Sequence, residues 1–289
     1  MKLLNPNLPP HTVQASRLKA LVLDWAGTTV DFGSLAPART IARVFSRLGI
    51  SLTEDEIRRD MGLAKKDHIG RILSIPRIRE VWQAVHGREP AAQDVERVYQ
   101  AFIPLQLSCL VEYAALIPGV AKNVERFRRR GLKIGSTTGY TRAMLDLLIE
   151  HSAKAGYQPD CSLSPEDVGS ARPAPFMLYE NAVRLQVYPL AAIAKIGDTP
   201  ADIHEALNAG AWAVAVAATG NAIALSLNEF QALPADERSS RVAVARAELA
   251  RAGAHYVVDT LAELDSVLDD IDARLKSAYD SPLLPRETT

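Results

Sequence analysis

Cysteines, aromatic residues and long apolar runs are all scarce in this sequence of 289 residues. Its two cysteines, Cys109 and Cys161, lack metal-ligand spacing and are too few for a disulfide framework, which favours a reducing compartment. No apolar run approaches the ~20 residues of a membrane helix, and residues 1–17 lack the apolar segment of a signal peptide. We therefore expect a cytoplasmic protein that is neither exported nor inserted into a membrane.

Neither basic nor acidic residues are in excess. The chain has 33 basic and 34 acidic residues and a formal net charge of −1. Nucleic acids and anionic membranes attract proteins with a marked positive excess, so neither is an expected partner. With 48% hydrophobic residues, the chain has enough apolar material for one large domain or two modest ones.

Short apolar runs alternate with segments of helical periodicity over most of the chain. Six runs are predicted to be strands: 20–23, 132–136, 161–163, 193–196, 212–216 and 255–258. Strands that alternate with helices are typical of a parallel sheet covered by helices on both faces. The predicted fold class is α/β, a doubly wound parallel sheet of the Rossmann-like kind.

Residues 34–113 interrupt this alternation, because their pattern is helical throughout. Thr53 and Glu56, for example, have the spacing of a capping box at the start of a helix. A helical block between the first and second strands predicts an all-helical cap domain inserted into the α/β core. The expected organisation is a flexible arm (1–17), a core domain (18–33 and 114–276), the cap (34–113) and a flexible tail (277–289).

Polar residues follow several predicted strands directly or stand in core loops. They are Asp24, Thr138, Arg172, Asp198 and Asp202. Because the carboxyl ends of parallel strands meet at one edge of a sheet, we expect these side chains to converge. Each alone has a structural alternative, since an acidic residue at a turn is commonly a helix cap and an Arg-Pro pair is commonly a loop.

The converging groups suit phosphoryl chemistry with a metal ion. The carboxylates of Asp24 and Asp198, with the backbone carbonyl of Ala26, form the oxygen-rich shell that Mg²⁺ prefers. Thr138 and Arg172 offer a neutral and a cationic donor to phosphoryl oxygens. Asp24 is then placed to attack phosphorus.

Four segments resemble the phosphonoacetaldehyde hydrolases, a family of the haloacid dehalogenase superfamily. They are DWAGTTVD at 24–31, MGLAKKDH at 61–68, GSTTGYT at 135–141 and GDT at 197–199. The similarity covers roughly residues 18–275. It implies hydrolysis of the P–C bond of phosphonoacetaldehyde to acetaldehyde and phosphate in 2-aminoethylphosphonate degradation, with Mg²⁺ as cofactor and a homodimer formed through the cap.

Ala26 and Lys65 make sense together under this resemblance. Phosphatases of the superfamily place a second aspartate two residues after the nucleophile, where it protonates a departing alkoxide, but here that position is Ala26. A P–C bond must instead expel a carbanion, and a protonated imine on the neighbouring carbon accepts those electrons. The resemblance assigns the imine to Lys65, whose pKa must be lowered by burial or a neighbouring cation.

The resemblance also assigns supporting roles, each with a simpler alternative. His68, on the helical face of Lys65, is expected to shuttle a proton, although both residues could belong to a solvated helix face. Met61 and Tyr140 are expected near the substrate, although they could be a core filler and a helix cap. The remaining expected roles are substrate binding by Gly62 and Gly139 and support of the metal shell by Asp202 and Thr28.

Two other functions share the core residues. A capped phosphatase or phosphomutase acting on a phosphate ester would need no imine, and Ala26 argues against it. A catalytically silent binding protein on the same scaffold is disfavoured, because every catalytic residue type is present.

Overall fold

The computed structural model of the protein describes residues 17–280, with side chains up to residue 277. Its centre is a six-stranded, fully parallel sheet with the strand order β3-β2-β1-β4-β5-β6. The strands are β1 (Ala20–Leu23), β2 (Lys133–Thr137), β3 (Cys161–Leu163), β4 (Ile193–Gly197), β5 (Trp212–Val216) and β6 (Tyr256–Val258). All six predicted strands and the doubly wound α/β fold class are confirmed, with shifts of a residue at some strand ends.

Thirteen α-helices accompany the sheet in the described part of the chain. They are α1 (Leu35–Arg47), α2 (Glu54–Arg58), α3 (Lys65–Ser74), α4 (Pro76–His86), α5 (Ala92–Cys109), α6 (Val120–Arg129), α7 (Arg142–Lys154), α8 (Pro165–Val168), α9 (Phe176–Leu185), α10 (Pro200–Ala209), α11 (Leu227–Ala232), α12 (Ala235–Arg251) and α13 (Leu264–Asp280). Short 3₁₀ turns lie at Leu110–Tyr113, Leu190–Ala192, Asn221–Ile223 and Leu261–Glu263.

Strand β1 occupies the middle of the sheet, between β2 and β4. Its four residues are fully buried, as expected for an apolar run with helices on both faces. In the register, Leu23 lies opposite Ser136 on one side and Ile196 on the other. The residue that follows β1 therefore emerges between the ends of β2 and β4, at the edge where open α/β sheets bind ligands.

Residues 34–113 contain only helices and turns, and their buried apolar side chains belong to the same hydrophobic cluster as those of the sheet. Phe45, Trp82 and Phe102 are fully buried there, where α1 and α3 pack on α5. The predicted capping box of α2 is present, with Thr53 and Glu56 exchanging side-chain to backbone hydrogen bonds. We call this segment the helical insert; the domain boundaries themselves stay a prediction.

Only small parts of the predicted arm and the predicted tail fall within the described residues. Helix α13 continues to Asp280, so it runs four residues into the predicted tail that was to begin at residue 277. The rest of that tail, and all but the last residue of the predicted arm at 1–17, lie outside the described residues. Within the described range, no helix is both long enough and apolar enough to cross a bilayer.

Candidate active site

A small cavity lies at the carboxyl edge of the sheet, beneath the helical insert. Nine residues predicted for the site line it: Asp24, Ala26, Met61, Gly62, Lys65, Thr138, Gly139, Tyr140 and Arg172. Three lining residues, Ser34, Pro37 and Thr199, were not predicted. The cavity therefore joins strand ends of the core to the α2–α3 segment of the insert.

Asp24 is positioned by the end of β1. Its backbone N–H donates to the Ile196 carbonyl at 2.9 Å, and the Thr29 hydroxyl donates to the Asp24 carbonyl at 3.0 Å. Only 5% of Asp24 is exposed. Burial, together with the nearby Asp202 carboxylate, raises the pKa of Asp24 to about 6, although the Arg172 guanidinium lowers it.

Arg172 faces Asp24 from the loop between α8 and α9 and is held on all sides. Its Nη1 lies 2.8 Å from Asp24 Oδ1 and 2.9 Å from Asp202 Oδ1. Its Nε donates to Glu205 Oε2 at 2.9 Å, and its Nη2 donates to the Thr137 hydroxyl at 2.6 Å. The guanidinium, 1% exposed, is therefore fixed in one orientation at the cavity wall.

Asp198 and Asp202 follow β4 and enter α10. The Thr28 hydroxyl donates to Asp198 Oδ1 at 3.0 Å, and the backbone N–H of Asn221 donates to Oδ2 at 2.7 Å. Asp202 closes the capping box of α10, with the Thr199 hydroxyl donating to Oδ2 at 2.6 Å. Burial raises the pKa of Asp202, but the Arg172 guanidinium and the Lys195 ammonium lower it by more. The pKa of Asp202 therefore lies below its usual range.

These carboxylates fit a divalent cation. Asp24, Asp198 and Asp202 each offer an oxygen within 4.8 Å of the others. Burial and the two neighbouring aspartates raise the pKa of Asp198 well above its usual range, which is the mark of uncompensated negative charge. A hard cation relieves that repulsion, and Asp24, Asp198 and the Ala26 carbonyl are the groups that would hold it.

Lys65 begins α3 and enters the cavity from the insert. Its Nζ lies 3.9 Å from the Met61 sulfur and 5.1 Å from the centre of the Tyr140 ring. Only 5% of the residue is exposed. Burial lowers the pKa of Lys65 to about 8, against the opposing effect of Asp24. Lys66, by contrast, is exposed and pairs with Glu96 at 2.6 Å.

His68 lies on the face of α3 predicted for it but not on the cavity wall. Its ring is fully buried, and Nε2 contacts the Ile57 carbonyl of α2 at 2.8 Å. Burial and the Lys65 ammonium lower the pKa of His68 to about 3, so the ring is neutral at physiological pH. In this structure the residue ties α3 to α2, and its role as a proton shuttle stays a prediction.

A family model describing haloacid dehalogenase-like hydrolases matches residues 18–210. The chain belongs to this family. Phosphonoacetaldehyde hydrolase of Nitratidesulfovibrio vulgaris is 44% identical over 89% of this chain and 92% of its own length. A bifunctional phosphonoacetaldehyde hydrolase/aminoethylphosphonate transaminase of Clostridioides difficile is 40% identical over 90% of this chain and 41% of its own.

A solved structure agrees with these sequence matches. The crystal structure of a phosphonoacetaldehyde hydrolase-like protein from Oleispira antarctica is 36% identical to this chain. It superposes with a TM-score of 0.91 over 95% of this chain and 99% of its own. Together with the sequence matches, this places the chain among the phosphonoacetaldehyde hydrolases of the haloacid dehalogenase superfamily.

Two glycines bring the helical insert of this hydrolase close to its core. A Cβ on Gly139 would lie 2.4 Å from the Leu63 carbonyl oxygen, and one on Gly62 would lie 2.4 Å from the Thr199 hydroxyl. Gly62 also has a φ of +91°, a conformation that other residues adopt only with strain. These contacts set how closely Lys65 can approach the strand ends.

We expect Gly139→Ala to reduce turnover about 100-fold and also to lower thermal stability, because the new methyl would overlap backbone atoms of Gly62 and Leu63. The added methyl must push the Leu63 backbone outward, and a displacement of about 1 Å between reacting groups has this order of effect. Gly70→Ala is the matched control, because the new methyl would meet only Val95, at 3.9 Å. Equal activity in the two variants would contradict the expectation.

Two buried ionic residues of the site were missed in the sequence. Lys195 lies within β4, and its Nζ is 2.8 Å from Asp202 Oδ1. Glu205 lies on α10, three residues after Asp202, and is fully buried against Arg172. The sequence did contain a signal for this pair, namely a lysine inside an apolar strand. When both faces of a sheet are covered, a cation in a central strand is buried and needs carboxylate partners.

Proposed function

We propose that this chain hydrolyses phosphonoacetaldehyde to acetaldehyde and phosphate, with Lys65 forming an imine and Asp24 accepting the phosphoryl group. The observation that carries the proposal is that one buried cavity joins Lys65 to Asp24. Asp24 is also the single carboxylate among the described lining residues. Such a site lacks an acid for an alkoxide leaving group but has an amine suited to aldehydes.

The first half of the reaction belongs to Lys65. Its neutral amine adds to the aldehyde carbon and loses water, which gives an imine that is protonated on nitrogen. Burial favours this step, because a pKa near 8 leaves an appreciable neutral fraction at physiological pH. The ring of Tyr140 and the sulfur of Met61 flank the amine and hold it away from bulk water.

The second half belongs to Asp24. Its carboxylate attacks phosphorus, the P–C bond breaks, and the bonding electrons move into the iminium to give an enamine. Protonation of the enamine carbon and hydrolysis by one water release acetaldehyde and regenerate Lys65. A second water cleaves the aspartyl phosphate, so the net reaction consumes a single water.

Phosphoryl oxygens need positive charge and hydrogen-bond donors around them. The Arg172 guanidinium and the Thr138 hydroxyl line the cavity beside Asp24 and supply both. When bound by Asp24, Ala26 and Asp198, Mg²⁺ would neutralise charge on the phosphoryl group. Thr28 and Asn221 hold Asp198 by hydrogen bonds and so keep this carboxylate oriented.

The biological setting extends the proposal. The Clostridioides difficile relative joins a phosphonoacetaldehyde hydrolase to an aminoethylphosphonate transaminase in one protein. This fusion supports a role for the present chain in 2-aminoethylphosphonate degradation. The homodimer through the cap and the cytoplasmic location stay predictions from the family resemblance.

Borohydride trapping tests the proposed function. The protein is incubated with Mg²⁺ and phosphonoacetaldehyde, reduced with borohydride and mapped by peptide mass. We expect phosphate release before reduction and a two-carbon adduct on Lys65. A phosphatase or phosphomutase would give no adduct, and a silent binding protein would give no phosphate; either result would refute the proposal.

The pH dependence of kcat/KM should follow the Lys65 amine. The neutral amine is the reactive form, so activity should rise with pH and level off above about 8. Below that point it should fall about tenfold per pH unit, or roughly 100-fold at pH 6. Initial rates from pH 6 to 9.5, with phosphate release followed by a coupled assay, measure the profile. A flat profile below pH 8 would contradict this assignment.

A further inference from the structure

Arg58 is a buried cation that reaches out of the helical insert into the core. It ends α2, and its Nη1 donates to the Gly33 carbonyl at 2.9 Å and to the side-chain Oδ1 of Asn221 at 3.0 Å. The same nitrogen lies 3.0 Å from the Asn221 carbonyl. Asn221 returns a bond, since its Nδ2 donates to the Arg58 carbonyl at 3.1 Å. The pair is therefore joined in both directions between two separate parts of the fold.

On the core side, this contact continues to the proposed metal ligand. The backbone N–H of Asn221 donates to Asp198 Oδ2 at 2.7 Å. The preceding residue, Gly220, passes so close to Asp198 that an added Cβ would lie 2.4 Å from the Cβ of that aspartate. The position of the loop at Asn221 and the orientation of Asp198 are thus mutually dependent.

On the insert side, the contact continues to the proposed imine-forming lysine. Ile57, the neighbour of Arg58 in α2, accepts the hydrogen bond from His68 Nε2 at 2.8 Å. His68 lies one turn after Lys65 on α3. A continuous set of hydrogen bonds and helical backbone therefore runs from Asp198 through Asn221, Arg58 and His68 to the helix that carries Lys65.

We propose that Arg58 and Asn221, the seam latch, are positioning residues that hold the helical insert closed and so place Lys65 opposite Asp24. An open cleft between α2 and α12 has both residues in its wall, so the latch lies where the insert and the core would separate. The latch acts through Lys65 and Asp198 and does not touch the substrate. This inference rests on the proposed function.

The chemistry of the contact favours positioning over simple stabilisation. Burying a cation is costly even when, as here, its Nε pairs with the carboxylate of Glu54, and packed apolar residues would stabilise such a seam as well or better. The planar guanidinium, however, can satisfy acceptors from two separate loops at fixed angles, which a lysine cannot do. The structure thus has a directional group at the contact between the helical insert and the core.

Four variants test the seam latch: Arg58→Ala, Asn221→Ala, the double variant, and Arg88→Ala as control. Arg88 is also an arginine of the insert, with bonds of 2.6 and 2.8 Å to the buried Asp94, and those partners all lie within the insert. We measure kcat and KM for phosphonoacetaldehyde, the rate of borohydride trapping on Lys65, and thermal stability. Arg58→Ala is expected to lose about 100-fold in kcat, with trapping slowed in parallel.

The double variant should be no slower than the worse single variant, because both substitutions break one contact. Arg88→Ala should lose thermal stability but keep its trapping rate. Equal kcat in Arg58→Ala and Arg88→Ala, or additive losses in the double variant, would overturn the seam latch. If Arg58→Ala does not fold, Asn221→Ala decides alone. Absence of turnover and adduct in the unsubstituted protein would instead refute the proposed function.

Discussion

Asp24→Asn is expected to lower turnover of phosphonoacetaldehyde by about five orders of magnitude, the scale seen when a nucleophile is removed. The amide is a poor nucleophile and cannot form an acyl phosphate that water then cleaves. It also withdraws one anionic oxygen from the cluster with Asp198 and Asp202. Both effects act on the same step, the transfer of the phosphoryl group.

Imine formation should survive this substitution, because the Lys65 amine and the aldehyde react before phosphorus is attacked. We therefore expect borohydride to reduce a phosphonate-bearing adduct onto Lys65 in Asp24→Asn, heavier than the two-carbon adduct of the unsubstituted protein. Asp160→Asn is the matched control, since Asp160 pairs with Arg128 at 2.6 Å and caps Ile134 at the amino-terminal edge of the sheet. Turnover of Asp24→Asn near that of Asp160→Asn would rule out Asp24 as the nucleophile.

The sheet and its strand ends could be predicted because their signals are local. A short apolar run such as Ala20–Leu23 predicts a buried strand. Parallel strands bring their carboxyl ends to one edge of the sheet. Asp24, Thr138 and Arg172 could thus be grouped without knowledge of the strand order. The strand order, with β1 between β2 and β4, depends on helix packing that no single segment encodes.

The supporting groups depend on tertiary contacts and were harder to predict. Glu205 lies on a helix with no local sign of its partner, and only the fold shows that it bonds Arg172. His68 was placed correctly by helical spacing relative to Lys65, but spacing does not reveal what packs against a face. The Ile57 carbonyl does so here, so the His68 ring is a buried contact between α2 and α3, and its expected role as a proton shuttle stays a prediction.

In the proposed mechanism, Lys65 is the residue on which P–C cleavage depends most directly. The carbon fragment of a phosphonate cannot leave phosphorus as a bare carbanion at neutral pH, so the electrons of the broken bond need an acceptor on the adjacent carbon. The Tyr140 ring and the Met61 sulfur lie beside the amine. Neither side chain can form an imine with an aldehyde, and therefore neither can provide the acceptor for those electrons. Removal of the amine should therefore stop the reaction before Asp24 can act.

We expect Lys65→Arg to lose at least about 1,000-fold in turnover and to show no borohydride adduct. The guanidinium keeps the positive charge and the length of the side chain, but it stays protonated and does not form an imine with the aldehyde. Lys66→Arg is the matched control, because Lys66 is the next residue, is exposed and pairs only with Glu96 among the described residues. It should retain nearly full activity and the normal adduct.

The core half of the site should remain intact in Lys65→Arg. Thermal unfolding with Mg²⁺ and inorganic phosphate should still show the ligand-dependent stabilisation of the unsubstituted protein, because Asp24, Arg172 and Asp198 are unchanged. Asp24→Asn keeps the imine and loses phosphoryl transfer, whereas Lys65→Arg loses the imine and keeps phosphate binding. Turnover of Lys65→Arg within tenfold of Lys66→Arg would mean that carbon leaves phosphorus without an imine, and the assignment of Lys65 would fall.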